Sequence, residues 1–140
     1  MDEREILDQL VESLYQGWDV IPTGGGFLVV TDWMLPDDER IEIHIRRVGD
    51  REDLFLVTDG GALVNFLFAH GVDLVRDQES RRRLEGTAEN HSIKIADQQL
   101  VKGAAETEIA AAVRSMLEAV KEASFLLWHK IRVQPGDSVH

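Results

Sequence analysis

The clearest pattern of apolar and polar positions in the chain is an alternation across residues 40–46. The isoleucines at 41, 43 and 45 fall on one side of an extended segment, and the residues between them are polar. The apolar run Leu54–Val57 follows, and Gly49–Glu52 supplies a turn between the two. Residues 40–58 are therefore predicted to form a β-hairpin with one buried and one polar face, as in an antiparallel sheet covered on one side.

Helical spacing of apolar positions predicts four helices, at residues 3–16, 62–70, 77–86 and 106–131. Shorter apolar runs predict strands at 18–21 and 27–32, joined by three glycines at 24–26, and a small hairpin over 91–101. This order predicts an α+β fold, in which helices cover one face of an antiparallel sheet. Residues 1–132 are predicted to be a single domain, and residues 133–140 a flexible tail.

The predicted C-terminal helix carries a long apolar stripe. Its apolar positions are 109, 113, 116, 120, 123, 127 and 131, at intervals of three or four. Phe125, Leu126 and Trp128 add a second apolar face, and Trp33 and Met34 are apolar residues in a predicted loop. We expect these five side chains to bind a partner. The pattern leaves open whether the helix forms a homodimer or crosses the sheet of its own chain.

Charge narrows the range of partners. The chain has 26 acidic and 15 basic residues, which gives a formal net charge of −11 at pH 7. Binding to nucleic acid needs clustered cations that displace counterions, so we expect no direct contact with nucleic acid. Surplus carboxylates keep a protein soluble, and they can also imitate a phosphate backbone in the basic groove of another protein.

The absence of cysteine excludes a disulfide scaffold and thiol catalysis. No apolar run is long enough to span a bilayer, and the N-terminus is charged rather than apolar. We therefore expect a cytoplasmic protein without membrane association. No cofactor motif is present, and none is assigned.

The sequence Thr58-Asp59-Gly60-Gly61 marks a tight turn between a strand and the helix 62–70. Glycines at such a turn permit positive φ or a close backbone approach. Thr58 or Asp59 is expected to cap the helix by accepting backbone N–H bonds, and metal binding by Asp59 is the alternative. The helix 62–70 is apolar on nearly all sides, which predicts a central, buried helix.

Asp32, Glu42 and His44 are candidates to gather with Asp59 on the open face of the sheet. Two or three carboxylates and an imidazole can bind Mg²⁺ or Mn²⁺ for phosphodiester cleavage. The same residue types also occur on a solvated strand face, and Glu42-Ile43-His44 has histidine where a nuclease pair has lysine. These four residues are therefore the candidate catalytic residues, and no metal is assigned.

Three segments together resemble a known family. They are residues 41–47, residues 56–61 with the apolar helix and Gly71-Val72-Asp73-Leu74 behind it, and the hairpin 93–101 that leads into the long helix. On these segments, residues 5–130 resemble the uncharacterised bacterial and phage family catalogued as domain of unknown function 1828. The resemblance implies a small cytoplasmic domain of bacteria, prophages and other mobile elements, and it supplies no catalytic residues.

The helix after the turn departs from that family. It begins Ala62-Leu63-Val64-Asn65, without the threonine-rich start that the family would have. This difference argues against a ligand site made of side chains around the turn.

The expected function is that of a non-enzymatic, phage- or prophage-associated protein that binds another protein. A sharper version is an inhibitor of a bacterial defence complex, such as an anti-CRISPR protein, which would bind a nucleic-acid-binding complex. The alternatives are a metal-dependent nuclease or phosphohydrolase, and a structural homo-oligomer.

Overall fold

The computed structural model describes residue 8, residues 18–49, residue 51 and residues 53–132, with side chains to residue 127. Apart from Asp8, the predicted helix 3–16 lies outside the described residues. The predicted tail 133–140 and the side chain of Trp128 also lie outside them.

The described residues form one six-stranded sheet. Its strands are β1 (Asp19–Thr23), β2 (Gly26–Met34), β3 (Arg40–Arg47), β4 (Leu54–Thr58), β5 (Lys94–Ala96) and β6 (Gln99–Ala105). The order across the sheet is β1-β2-β3-β4-β6-β5, and every neighbouring pair is antiparallel. The α+β class and the hairpin over 40–58 are therefore confirmed.

The glycine run forms the turn of the first hairpin, as predicted. Thr23 pairs with Gly26, which leaves Gly24 and Gly25 as a two-residue turn. Strand β2 is longer than predicted, because the register shifts between Val30 and Met34 and pairing then resumes. The prediction of a loop at Trp33 and Met34 is therefore wrong, since both residues belong to β2.

Three helices are described: α1 (Ala62–Ala69), α2 (Gln78–Asn90) and α3 (Ile109–Arg132). Helix α2 continues through Gly86, so it is longer than the predicted 77–86; the Asp77 side chain caps its start by accepting from the Ser80 N–H. A 3-10 turn, Glu106–Glu108, precedes α3. No helix among the described residues is long and apolar enough to cross a membrane.

The core lies between the helices and one face of the sheet. Ile41, Ile43 and Ile45 are fully buried on that face, while Glu42 and Arg46 are exposed on the other. The stripe of α3 is buried as well, at Ile109, Val113, Met116, Val120, Ala123 and Leu127. Helix α3 contacts β3, β4 and β6, so its stripe up to Leu127 packs within its own chain.

One part of the predicted core is on the surface. Helix α1 buries Leu63, Val64, Phe66 and Leu67, but Phe68 is 67% exposed. The predicted central helix is therefore buried on one side only, and Phe68 lies at the surface. An apolar sequence can identify the element, but the surrounding elements decide how much of its circumference they cover.

Candidate functional site

The turn between β4 and α1 is closed by the side chain of Asp59. One carboxylate oxygen accepts from the Gly61 N–H at 2.9 Å and from the Leu100 N–H at 3.1 Å. The other accepts from the Leu63 N–H, in the first turn of α1, at 3.1 Å. Asp59 therefore caps α1, as the sequence predicted, and also fastens β6 to the turn.

Thr58 completes the turn. Its hydroxyl oxygen accepts from the Gly60 N–H, and the hydroxyl donates to the side-chain oxygen of Gln99. Gly60 and Gly61 have φ of +67° and +88°, which glycine adopts without the strain of a side chain. A Cβ at Gly60 would lie 2.8 Å from the His44 ring, so the missing side chain also makes room for that imidazole.

Burial controls the ionisation of Asp59. Its side chain is 2% exposed, and this desolvation raises the pKa of the carboxyl above its usual value. The N–H groups of Gly61, Leu63 and Leu100 oppose the effect by stabilising the anion, but the loss of water is larger. All three bonds come from the backbone, so the carboxylate holds the fold together and has little capacity left for a ligand.

The predicted gathering of Asp32, Glu42, His44 and Asp59 is wrong. Asp59 follows the buried Val57 by two residues, so its carboxylate lies on the helix-covered side, opposite Glu42 and His44. Asp32 accepts from the Trp18 indole N–H at 2.7 Å. All four residues are described, and the described chain contains no group of three His, Cys, Asp or Glu side chains able to hold a metal ion.

Two of the segments predicted to bind a partner meet in space. The Lys121 ammonium donates to the backbone oxygen of Met34 at 2.7 Å and lies 5.0 Å from the centre of the Phe125 ring. We call Met34, Phe125 and Leu126 the helix-end patch; these side chains are 36%, 48% and 48% exposed. Trp33 does not belong to it, because its half-buried side chain packs against the core.

Sequence reasoning missed a second apolar surface, which we call the edge groove. It is a cavity of about 960 Å³ between α1, α2, the segment that joins them and β5. Its lining includes the buried Val64, Leu84, Ala88 and Ile93 and the exposed Phe68 and Val75. The signal in the sequence was Phe68, an apolar residue of α1 that lies outside the buried set Leu63, Val64, Phe66 and Leu67.

Comparisons with known proteins identify a family for the sequence and a solved structure of similar fold. The sequence model of a family described as domain of unknown function DUF1828 matches residues 31–122. The structure is similar to that of an uncharacterized protein from Methanothermobacter thermautotrophicus, with a TM-score of 0.56 and 10% sequence identity. That similarity covers 93% of this chain and 99% of the other, and at this identity it shows a shared fold alone. None of the curated proteins matches the chain.

Proposed function

Given that the chain belongs to the family described as domain of unknown function DUF1828, a description that assigns no activity, we propose that it is a non-enzymatic protein–protein interaction module. The observation that carries this proposal is the helix-end patch. Its residues come from β2 and α3, which are far apart in sequence, and Lys121 connects them at the surface.

The chemistry of the patch suits a protein partner. Aromatic residues and methionine are enriched at protein interfaces, and an exposed cluster of such side chains gains free energy when a partner removes it from water. The positive charge of Lys121 lies beside the Phe125 ring and holds the apolar side chain at the surface. Glu118 and Glu122, on the same helix, are exposed carboxylates that lie beside His91, with Glu122 2.8 Å from its ring nitrogen.

The proposal can be tested with one double variant and one control. Phe125→Ser combined with Leu126→Ser removes two of the three apolar side chains of the patch, while Ile21→Ser changes a side chain of similar exposure, 47%, on the edge strand β1. The wild-type chain and both variants would be immobilised and used to capture proteins from a bacterial lysate. We expect one partner to be recovered by the wild type and by the control, and to be lost with the double variant.

The proposal would be contradicted if all three chains recovered the same proteins. It would also be contradicted if none of them recovered a protein. Light scattering on the three purified chains measures self-association separately. If the partner is a second copy of the chain, the wild type and the Ile21→Ser variant have twice the mass of the double variant. That result would favour the homodimer over a different protein partner.

A sharper form of the proposal is an inhibitor of a bacterial defence complex, encoded by a phage or prophage and acting in the cytoplasm. Its support is the formal net charge of −11, which suits the basic groove of a nucleic-acid-binding protein. In that case duplex DNA and this chain compete for one site, and added DNA releases the captured partner. If the partner stays bound at every DNA concentration, the hypothesis that the chain imitates DNA is rejected. The wider proposal of a protein-binding module is not affected by that result.

A further inference from the structure

The edge groove combines two features, exposed apolar side chains and a neighbouring edge strand. Phe68 and Val75 are 67% and 70% exposed, the largest exposures among the large hydrophobic side chains of the described residues. Both lie on the wall of the same cavity, above a floor of buried apolar side chains. Exposed apolar residues gathered around one concave surface indicate a binding site.

Strand β5, at one end of the sheet, supplies the second feature. Asp97 and Gln98 form a two-residue turn with positive φ at both positions, flanked by the pair Ala96 and Gln99. In such a hairpin the pair next to the turn is hydrogen-bonded and the following pair is not. Ile95 belongs to that following pair, so its backbone N–H and C=O point to the outer side of β5.

Ile95 also lines the groove, so the outer edge of β5 belongs to a strand that forms one side of it. No backbone group elsewhere in the described parts of the chain pairs with the N–H and C=O of Ile95. The opposite edge of the sheet is different, because β1 carries Pro22, which has no N–H and hinders the addition of another strand. Among the described residues, the edge beside the groove is therefore the one of the two that is able to accept a strand.

The groove is lined by charges of both signs, and on its α2 wall the carboxylates outnumber the cations. Asp73, Glu85 and Glu89 lie on it together with Arg81 and Lys94, and Arg81 pairs with Glu85 at 3.7 Å. Glu89, one turn further along α2, makes no ion pair within the described part of the chain. The α2 wall of the groove therefore offers an exposed carboxylate to a cation.

We infer that the edge groove binds an extended segment of a partner protein, which adds as a strand beside β5. An apolar side chain of the segment inserts between Phe68 and Val75, and a neighbouring lysine or arginine meets Glu89. Main-chain bonds to Ile95 supply affinity, and the apolar pocket supplies specificity, as in other cases of strand addition. This inference goes beyond the proposed function and depends on different residues, since β2 and β5 are separated by three other strands.

Peptides selected from a random display library on the purified full-length chain provide the probe. We expect the selected sequences to share apolar residues at every second position and a basic residue close to one of them. The binding peptide would then be made with a single N-methyl group at each backbone amide in turn. Strand addition predicts that affinity falls by about tenfold, or about 1.4 kcal/mol, at alternate positions and is unchanged at the positions between them.

Variants of the protein locate the site. Phe68→Ser and Glu89→Lys are expected to weaken binding of the same peptide at least tenfold. Glu108→Lys makes the same charge change at another exposed position and should leave binding unchanged. The double variant of Phe125 and Leu126 should also bind the peptide normally, so the outcome is independent of the helix-end patch.

Three results of the peptide experiments would overturn the inference. They are a failure to enrich any peptide, a selected pattern with helical spacing, and an N-methyl series without the alternation. Equal binding by the wild type and the Phe68→Ser variant would place the peptide elsewhere and would also reject it.

Discussion

We expect the loss of the Asp59 side chain to destabilise the fold, because three backbone N–H groups share its two carboxylate oxygens. These donors belong to the turn, to α1 and to β6, so one side chain joins three parts of the chain. A buried donor that loses its acceptor costs about 1–3 kcal/mol. Asp59 therefore stabilises the contacts between three segments, and not only the start of one helix.

We expect Asp59→Ala to lower the free energy of unfolding by about 3 kcal/mol or more, since it leaves the three buried N–H groups without an acceptor. Asp37→Ala is the matched control, because Asp37 is exposed and accepts from a single backbone N–H. Urea denaturation of the two variants measures both changes. Similar losses at the two positions would contradict the role assigned to Asp59.

The same carboxyl gives a prediction about pH. Because burial raises the pKa of Asp59, ionisation is less favourable in the folded chain than in the unfolded chain. Its contribution to stability is fully present below the ordinary aspartate pKa of about 3.9 and is lost as the pH rises through the folded-state pKa. The stability difference between the wild type and Asp59→Asn should therefore be largest in acid and decrease as the pH rises. A difference that increases with pH would mean that the three N–H donors outweigh desolvation.

Gly60 and His44 should be energetically coupled. Gly60→Ala places a side chain at positive φ, which costs about 1–2 kcal/mol, and brings its Cβ against the imidazole of His44. In a His44→Ala background only the backbone cost remains, so the same change should cost less. A double-mutant cycle measures this difference. Equal costs in the two backgrounds would show that the ring moves aside freely.

At the scale of elements, the pairing of β2 with β3 requires a glycine where the two backbones come closest. Gly26 begins β2, and a Cβ there would lie 1.8 Å from the backbone oxygen of Ile45 on β3. The neighbouring Gly24 and Gly25 have nothing within 4 Å of the corresponding position. Three adjacent glycines therefore have different roles: the first two make the turn, and the third allows β2 and β3 to pair.

We expect Gly26→Ala to separate β2 from β3 and to destabilise the chain severely, because a backbone atom cannot give way as a flexible side chain can. Gly24→Ala and Gly25→Ala should each change the free energy of unfolding by no more than about 0.5 kcal/mol. Thermal or urea unfolding of the three variants provides the comparison. Equal effects at the three glycines would be inconsistent with the observed pairing of β2 and β3.

At the scale of the whole molecule, the excess of negative charge opposes the compact state. The formal net charge is −11, and self-repulsion of this kind destabilises a folded chain. The Arg–Asp and Arg–Glu pairs described are all on the surface, where an ion pair contributes about 0–1 kcal/mol. Dissolved salt should therefore weaken the repulsion among the excess carboxylates more than it weakens the attraction within the surface ion pairs.

The expected result is that Tm rises when sodium chloride is added to a solution of low ionic strength at neutral pH. Differential scanning calorimetry measures the change. A second series at a pH close to the isoelectric point is the control, since salt should have a much smaller effect there. A fall in Tm at neutral pH would show that the surface ion pairs outweigh the net charge.

Much of the fold was predictable because its signals are local. The isoleucine alternation identified the buried face of β3, and the stripe from Ile109 to Leu127 identified the buried side of α3. The site was less predictable. Asp59 was correctly expected to cap a helix, but the Leu100 N–H, 41 residues away, gave it a role that no local pattern contains.

The sequence by itself determined where most of the described strands and helices lie and which side of each is apolar, because these properties depend on neighbours within a few residues. Only the tertiary structure decided which polar groups meet and which apolar groups stay uncovered. It placed Asp59 and Glu42 on opposite sides of the sheet, joined Met34 to Phe125 through Lys121, and left Phe68 on the same groove as β5, the strand at one edge of the described sheet. Each of these outcomes depends on contacts between distant segments, whose geometry exists only after the chain has packed.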